Sequence, residues 1–209
     1  MTQPGSLTRP LAALVIGGSA GSVEALTSLL PALQPNCGLA VFVVVHLPRE
    51  RPSLLADIFR PKCRLLVSEA QDKEPVVAGT IYFAPPDYHL LIDVGPRLAL
   101  DAAELVHFSR PSIDVLFESA ADAYAERLLG IVLSGANSDG ACGLESVQKA
   151  GGLTLVQRPD TAAAQTMPQA ALDAAPGSAS LTVGQIAELL RGITGGRIEG
   201  LVTEGLPRT

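Results

Sequence analysis

The first part of the chain alternates short apolar runs with a segment in which apolar residues recur every three or four positions. Residues 11–16 and 39–45 are continuous apolar runs rich in β-branched side chains, as expected for strands that are covered on both faces. Between them, one helical stripe is formed by Val23, Leu26, Leu30 and Leu33. A strand, a helix and a strand within about 35 residues predict a βαβ unit with parallel strands.

The same alternation continues toward the C-terminus. Further strands are predicted at residues 64–67, 130–134 and 153–157, and helices at residues 53–59, 113–128, 144–150 and around 186–190. Two apolar runs separated by Pro-Pro-Asp-Tyr predict an antiparallel hairpin over residues 80–94. Ser112 is the predicted N-cap of the helix that follows, and Asp114 lies in its first turn, where a carboxylate interacts favourably with the helix dipole.

These elements predict a single α/β domain: a doubly wound, mostly parallel sheet with helices on both faces and one antiparallel hairpin. A length of 209 residues suits one hydrophobic core. We expect residues 11–191 to form this domain. Residues 1–10 are expected to be a flexible N-terminal segment and residues 192–209 a mobile C-terminal tail.

Composition and charge exclude several classes of function. A net charge of −6, without any run of Lys and Arg, argues against nucleic-acid binding. The three cysteines show no CxxC spacing, which fits a reducing cytoplasm better than a disulfide framework or a zinc site. No apolar stretch approaches the ~20 residues that cross a bilayer. We therefore expect a cytoplasmic protein that does not insert into the membrane.

Three predicted strands are followed by residues that can supply a nucleophile, a base and a carboxylate. Ser19 follows the first strand, His46 ends the second, and Asp139 lies in the loop after residues 130–134. Loops at the carboxyl ends of parallel strands form the ligand crevice of such sheets, so neighbouring strands would bring these side chains together. In a Ser-His-Asp triad the histidine takes the hydroxyl proton while the aspartate orients and stabilises the ring.

Residues 17–21, Gly-Gly-Ser-Ala-Gly, match the G-x-S-x-G pattern between a strand and a helix. In such a nucleophile elbow, glycines permit a strained backbone and close approach of substrate. The N–H of Ala20 lies near the predicted helix start, where an oxyanion is favoured. A turn of small residues without chemistry, or a phosphate cradle, is the alternative for this pentapeptide alone. The order Ser, His, Asp excludes the α/β-hydrolase family but not the mechanism.

The other candidate residues have simpler explanations. His89 in the predicted hairpin and His107 in a polar loop are interpreted as structural or surface residues, and no histidine spacing indicates a metal site. Cys142 is a rival nucleophile, although a buried small apolar residue at a helix start is the simpler interpretation. Asp139 itself could cap the helix that follows it. We expect no metal and no organic cofactor.

Several motifs, taken in order, resemble the catalytic domain of the CheB family of chemotaxis protein-glutamate methylesterases. VIGGSAGSVEAL is similar to the nucleophile motif, VVVHLP to the histidine motif and IVLSGANSDGACGL to the acid motif. Three flanking stretches agree in order and spacing: SEAQDKEPVVAGTIYFAPPDYHLLI, RPSIDVLF and AQTMPQAAL. The resemblance covers roughly residues 11–190 and implies that Ser19 is the nucleophile, His46 the base and Asp139 the acid.

The resemblance implies hydrolysis of γ-glutamyl methyl esters on the cytoplasmic part of methyl-accepting chemotaxis receptors, with release of methanol. Some members also deamidate receptor glutamines. The implied oxyanion hole consists of the backbone N–H groups of Ala20 and Ala136. The chain departs from the family pattern at Ala20 and Ser22, where the family usually has Thr and Gly, and at Ala136-Asn137, where it has Met-Gly. These departures put rate and substrate preference in question, although backbone donors survive a change of side chain.

Family members commonly carry an N-terminal receiver domain, and the ten or so residues before the first predicted strand are too few to hold one. We therefore expect one of three situations. A regulatory partner in trans controls the activity, the activity is not regulated, or the sequence is a catalytic domain excised from a longer protein. Two other functions remain open. One is a non-catalytic module that binds receptors or signalling partners through the same cleft; the other is an esterase or amidase whose substrate lies outside chemotaxis.

Overall fold

The computed structural model describes residues 10–47, 52–93, 95 and 97–198. The strands are β1 Ala13–Gly18, β2 Ala40–Val45, β3 Leu66–Glu69, β4 Thr80–Phe83, β5 His89–Asp93, β6 Arg97–Asp101, β7 Leu128–Val132, β8 Leu153–Gln157, β9 Ala179–Leu181, β10 Ile193–Thr194 and β11 Arg197–Ile198. The α-helices are α1 Ser22–Leu29, α2 Leu55–Phe59, α3 Ile113–Tyr124, α4 Ala141–Lys149, α5 Thr166–Ala174 and α6 Val183–Arg191. Short 3₁₀ helices occupy Leu30–Ala32, Ala125–Arg127 and Pro159–Thr161.

A parallel sheet in the order β3-β4-β2-β1-β7-β8-β9 forms the centre of the molecule. This confirms the predicted α/β class. Successive side chains of β1 face opposite sides, so Leu14 and Ile16 pack into one core cluster and Val15 into the other. Because both faces are covered, β1 has no solvent-facing position, and its sequence is a continuous apolar run.

Helices cover both faces of the sheet. The helices α1, α2 and α6 pack on one face, and α3, α4, α5 and the β5–β6 hairpin pack on the other. The neighbouring strands β1 and β7 are followed by helices on opposite faces of the sheet: β1 leads into α1 on one face, and β7 leads into α4 on the other. Such a switch point opens a crevice at the carboxyl edge of a parallel sheet. The loops that carry Ser19 and Asp139 lie on either side of this crevice.

The predicted antiparallel hairpin over residues 80–94 is wrong. All residues of β4 are buried, and β4 lies parallel between β3 and β2 inside the main sheet. The hairpin is instead formed by β5 and β6, in which Asp93 pairs with Arg97. The Pro-Pro-Asp-Tyr segment therefore joins two separate sheets. Val94, the predicted end of the hairpin, lies outside the described residues.

Other element boundaries differ in smaller ways. The strand predicted at residues 153–157 is confirmed at both ends. Helix α3 ends at Tyr124, and Leu128 opens β7 instead of closing the helix, because Ala125 adopts a φ of 48° and a 3₁₀ turn follows. The apolar periodicity of the sequence does not predict helix α5 or the short strand β9.

The N-terminal segment up to residue 9 and the tail from residue 199 lie outside the described residues. Residues 193–198 form the hairpin β10–β11, in which Ile193 is fully buried. The Leu11 N–H donates to the Gly196 carbonyl at 2.7 Å, and the Gly196 N–H donates to the Cys37 carbonyl at 2.7 Å. This part of the predicted tail is therefore packed on the domain, beyond the predicted boundary at residue 191. Among the described helices, none combines the length and the apolar character that a membrane span requires.

Candidate active site

Ser19 and His46 occupy matching positions at the carboxyl ends of neighbouring strands. Gly18 pairs with Val45 in the β1–β2 ladder, and the next residues in the sequence are Ser19 and His46, respectively. The His46 N–H donates to the Gly18 carbonyl at 3.1 Å, and the Ser19 N–H donates to the Ser134 carbonyl at 2.8 Å. Both candidate side chains are half-buried. The strand register therefore brings the predicted nucleophile and base together at the crevice.

The glycines of residues 17–21 serve close packing more than backbone strain. A Cβ on Gly17 would lie 2.2 Å from the Cγ2 atom of Ile113, the first residue of α3. Gly21, with a φ of 81°, is the N-cap of α1. Ser19 is not among the residues with a positive φ. The strained nucleophile elbow that the pattern predicts is therefore not formed, and the serine simply follows the end of a strand.

Asp139 is fully buried and contacts His46 directly. Its Oδ2 lies 2.8 Å from the His46 Nε2 and also accepts the Ile113 N–H at 2.8 Å. Its Oδ1 accepts from the Ser112 hydroxyl at 2.8 Å and from the Asp114 N–H at 3.0 Å. One buried carboxylate thus receives four hydrogen bonds, of which three come from the start of α3.

The His46 ring presents Nε2 to Asp139, which leaves Nδ1 as the nitrogen available to the Ser19 hydroxyl. Among the described residues, the Ser19 hydroxyl makes no hydrogen bond to this ring within 3.5 Å. Catalytic hydrogen bonds of this kind are often long before substrate binds and tighten in the complex. The structure therefore joins His46 to Asp139 and places Ser19 beside them without a formed hydrogen bond.

The electrostatics keep the Asp139 carboxylate charged. Desolvation by burial, the largest single effect, would raise its pKa. Hydrogen bonds from His46, Ile113, Asp114 and Ser112 together outweigh burial, so that the pKa is lowered from 3.8. The N-terminus of α3 adds the positive end of a helix dipole. A charged carboxylate is what a neighbouring imidazolium requires as a partner.

Asp114 has the same relation to α4 that Asp139 has to α3. Its Oδ1 accepts the N–H groups of Gly140, at 2.9 Å, and of Gly143, at 2.7 Å, in the first turn of α4. The prediction that Asp114 serves its own helix is therefore incomplete, because its carboxylate caps the neighbouring helix. Asp139, considered as a cap for the following helix, caps α3 instead. Asp139, which precedes α4, thus stabilises the N-terminus of α3, and Asp114, which lies in α3, stabilises the N-terminus of α4.

Burial makes Asp114 a different kind of carboxylate from Asp139. Its pKa is raised from 3.8 to about 6, first by desolvation and further by the charge of Asp139, against the lowering effects of the Gly143 N–H and His107. The His107 Nε2 lies 3.3 Å from the Asp114 Oδ2. His107 is 45% exposed, so this contact reaches from the buried carboxylate to the protein surface.

Ser112 stands at the N-cap position of α3, as predicted, but its hydroxyl does not cap that helix. The hydroxyl binds Asp139, and the Ser112 N–H donates to the Nδ1 of His89 at 3.1 Å. The other ring nitrogen of His89 lies 2.9 Å from the Glu104 carbonyl. A carbonyl only accepts, so His89 carries its proton on Nε2. The structural interpretation of His89 is confirmed, since the residue is buried behind Ser112.

The N–H groups of Ala20 and Ala136, the two predicted oxyanion donors, have no acceptor among the described residues. Each N–H belongs to a trans peptide whose carbonyl oxygen accepts a hydrogen bond on the opposite side of the peptide. The carbonyl preceding Ala20 accepts the Ser22 N–H at 3.0 Å, and the carbonyl preceding Ala136 accepts the Met167 N–H at 2.9 Å. In a trans peptide the N–H points opposite to the carbonyl, so both donors face away from these contacts. Both alanines are exposed.

Comparison with known proteins now identifies the family. The family model described as CheB methylesterase matches residues 14–190. The chain belongs to the CheB methylesterase family. A relative from Leptospira interrogans is 42% identical over 177 residues, which are 85% of this chain and 92% of that protein. A protein-glutamate methylesterase/protein-glutamine glutaminase from Symbiobacterium thermophilum is 35% identical over 181 residues, and the match spans 50% of its length.

The solved catalytic domain of the Thermotoga maritima CheB methylesterase has the same architecture. It matches with a TM-score of 0.82 and 28% identity, over 88% of this chain and 98% of that chain. The predicted resemblance and the predicted fold are thereby confirmed. At two of the departures from the CheB family pattern, Ala20 and Ala136, the proposed contribution is a backbone N–H, which is present whatever the side chain.

Cys142 is exposed in the first turn of α4, so the prediction that it is buried is wrong. The pKa of its thiol is raised by desolvation and by the nearby carboxylates of Asp114, Glu118, Glu145 and Asp139. Reactive cysteines have a lowered thiol pKa and lie in electropositive surroundings. In this CheB-family chain the thiol is therefore protonated at neutral pH and is not an activated nucleophile.

Sequence reasoning missed the polar residues that support the candidate site. The sequence pattern predicts Ser112 and Asp114 only as capping residues of their own helix, and Ser134 only as the end of a strand. The available signal was the RPSIDVLF stretch, which agrees with the CheB family in order and spacing. A serine and an aspartate two residues apart at a helix start do not by themselves indicate which element they cap.

Proposed function

We propose that this chain is a protein-glutamate methylesterase that hydrolyses γ-glutamyl methyl esters on the cytoplasmic part of chemotaxis receptors. The observation that carries the proposal is the hydrogen bond of 2.8 Å between the half-buried His46 and the buried Asp139, next to Ser19 at the carboxyl edge of the sheet. Membership of the CheB methylesterase family and the names of the relatives support the same reaction. Receptor sites of this kind imply a cytoplasmic enzyme.

In the acylation step, the Ser19 Oγ attacks the ester carbonyl while the Nδ1 of His46 takes the hydroxyl proton. The Nε2–H of the resulting imidazolium stays bonded to Asp139, whose negative charge stabilises it. The oxyanion of the tetrahedral intermediate accepts hydrogen bonds from the N–H groups of Ala20 and Ala136. Collapse of the intermediate breaks the bond to the methoxy oxygen, which leaves as methanol with the proton from His46.

In the second step, water attacks the acyl-enzyme while His46 takes its proton. The tetrahedral intermediate collapses to the γ-carboxylic acid while His46 returns the proton to the departing Ser19 oxygen, and the acid then releases its proton to solvent as the γ-carboxylate. A glutamine side chain follows the same course with ammonia in place of methanol, which accords with the double name of the relatives. Every step uses side chains and backbone groups of this chain.

The direct test is methanol release from the methylated cytoplasmic part of a receptor. Ser19→Ala is expected to lower kcat by a factor on the order of 10³ or more, because loss of such a nucleophile removes the covalent route. Ser28→Ala, at an exposed serine of α1, is the matched control and should leave the rate unchanged. Equal rates for the wild type and Ser19→Ala would refute the proposal. Tight binding of methylated receptor without any hydrolysis would favour the non-catalytic module instead.

A further inference from the structure

We propose that Ser22 and Ser134 are positioning residues that hold the Ala20 N–H in the orientation needed to bind the oxyanion. The inference rests on the proposed esterase function and assigns a role to two buried hydroxyls that this reaction does not otherwise use. Among the described residues, both hydroxyls bond only to backbone groups. Ser22 is also a position at which this chain departs from the CheB family pattern.

The first hydroxyl fixes the peptide that precedes Ala20. The Ser22 Oγ donates to the Ser19 carbonyl at 2.7 Å, and the Ser22 N–H donates to the same oxygen at 3.0 Å. Two donors from the first residue of α1 thus hold one carbonyl toward the helix. Because the peptide is trans, its N–H, which is the Ala20 donor, points away from α1.

The second hydroxyl fixes the peptide that follows Ala20. The Ser134 Oγ donates to the Ala20 carbonyl at 2.6 Å and accepts the Ala164 N–H at 2.9 Å. The single hydroxyl proton has two acceptors within reach, the Ala20 carbonyl at 2.6 Å and the Ala164 carbonyl at 3.3 Å, and the shorter distance favours the bond to Ala20. The Ser134 N–H in turn donates to the Oε1 of Gln157 at 2.9 Å, so the serine backbone is itself fixed.

Ala20 needs these anchors because its own side chain supplies none. It is exposed, its side chain is a single methyl group, and the next residue is Gly21 with a φ of 81°. A peptide between a small exposed residue and a glycine rotates easily unless its carbonyls are held. An oxyanion donor contributes most when it is oriented before the reaction begins. The two hydroxyls supply this orientation from the two sides of Ala20.

The space around Ser22 agrees with a specific role for its hydroxyl. A Cβ on Gly18 would lie 2.4 Å from the Ser22 Cβ and 2.8 Å from its Oγ. The serine side chain therefore fills a volume that exists only because residue 18 is a glycine. This packing confines the Ser22 hydroxyl to the vicinity of the Ser19 carbonyl.

The test compares Ser22→Ala and Ser134→Ala with a matched control on the same helix. Thr27 makes the same type of bond, from its hydroxyl to the Glu24 carbonyl three residues earlier at 2.6 Å, but on the exposed surface. We expect each serine variant to lower kcat by about five- to tenfold with KM within about twofold, since loss of a whole oxyanion donor costs roughly 10²–10³. Thr27→Ala should leave both constants unchanged. Ser134→Thr, which keeps a hydroxyl, should retain kcat within about twofold.

A second measurement separates positioning from folding. A fluorophosphonate forms a tetrahedral adduct on an active serine, so its labelling rate should fall in parallel with kcat in both alanine variants. Rates are compared at a temperature where circular dichroism shows every variant fully folded. Absence of methanol release by the wild type would refute the proposed function itself. An active wild type with unchanged kcat and labelling rate in both variants would overturn the positioning role alone, as would an equal loss in Thr27→Ala.

Discussion

Replacing Asp114 by Asn is expected to stabilise the protein above neutral pH, although the carboxylate caps a helix. Asp114 is 4% exposed, and its pKa is raised to about 6, chiefly by desolvation, with the charge of Asp139 also raising it. Asparagine resembles the protonated form of the side chain in shape and charge. Its Oδ1 can still accept the N–H groups of Gly140 and Gly143 that the carboxylate accepts now.

The magnitude follows from proton linkage. A pKa of about 6 in the folded protein, against 3.8 as the reference value, means that the folded state holds this proton more tightly than the unfolded state. The stabilising contribution of the proton is therefore fully present below the unfolded pKa and is lost as the pH rises through about 6. About two pH units at about 1.4 kcal/mol each amount to a cost on the order of 3 kcal/mol at pH 8. Asp114→Asn removes this cost.

Urea unfolding followed by circular dichroism at a series of pH values measures the difference. The stability gain of Asp114→Asn should be close to zero near pH 4 and rise to about 3 kcal/mol by pH 8. Asp122→Asn, at an exposed position of the same helix, is the control and should follow the wild type at every pH. A variant that is less stable than the wild type by the same amount at all pH values would refute the reasoning, because the bonds of the charged carboxylate to α4 would then outweigh its desolvation.

Two further variants test the surroundings of the candidate site. Ser112→Ala removes one of the donors to Asp139. A hydrogen bond to a charged group contributes about 1.5–3 kcal/mol, so the melting temperature should fall. Acid unfolding should begin at a higher pH, because losing this donor raises the pKa of Asp139. An unchanged acid transition would contradict this role for the hydroxyl. Cys142→Ala should retain full esterase activity, since the raised pKa of the thiol keeps it protonated. A large loss of methanol release in that variant would restore the cysteine as a nucleophile.

Local sequence pattern predicted the central strands because each is buried on both faces. A strand such as β2, with every residue buried, is a continuous apolar run in any such sheet. The same pattern does not specify pairing. The apolar residues of β4 and β5 are close in sequence, yet β4 pairs with β2 and β3 while β5 pairs with β6. Pairing depends on which face each strand must bury, and a single short run does not contain that information.

The reacting groups were predictable for a related reason. A serine, a histidine and an aspartate that each follow a predicted parallel strand meet at one edge of the sheet. The supporting groups were not predictable, because Asp139 and Ser112 are 27 residues apart and interact only through the packing of α3 beside α4. Capping within one helix is a local property, whereas capping by a residue of another element is a property of the tertiary fold.

The two sides of the candidate site are supported by groups of different charge, and the proposed reaction explains the difference. Buried carboxylates lie on the imidazole side, where Asp139 bonds His46 and positive charge develops. Neutral hydroxyls lie on the other side, where Ser22 and Ser134 hold the peptides around Ala20 and negative charge develops. Both hydroxyls are buried, so a carboxylate in place of either one would be poorly screened and would repel the oxyanion. Hydroxyls can fix the backbone there without opposing the charge that the reaction creates.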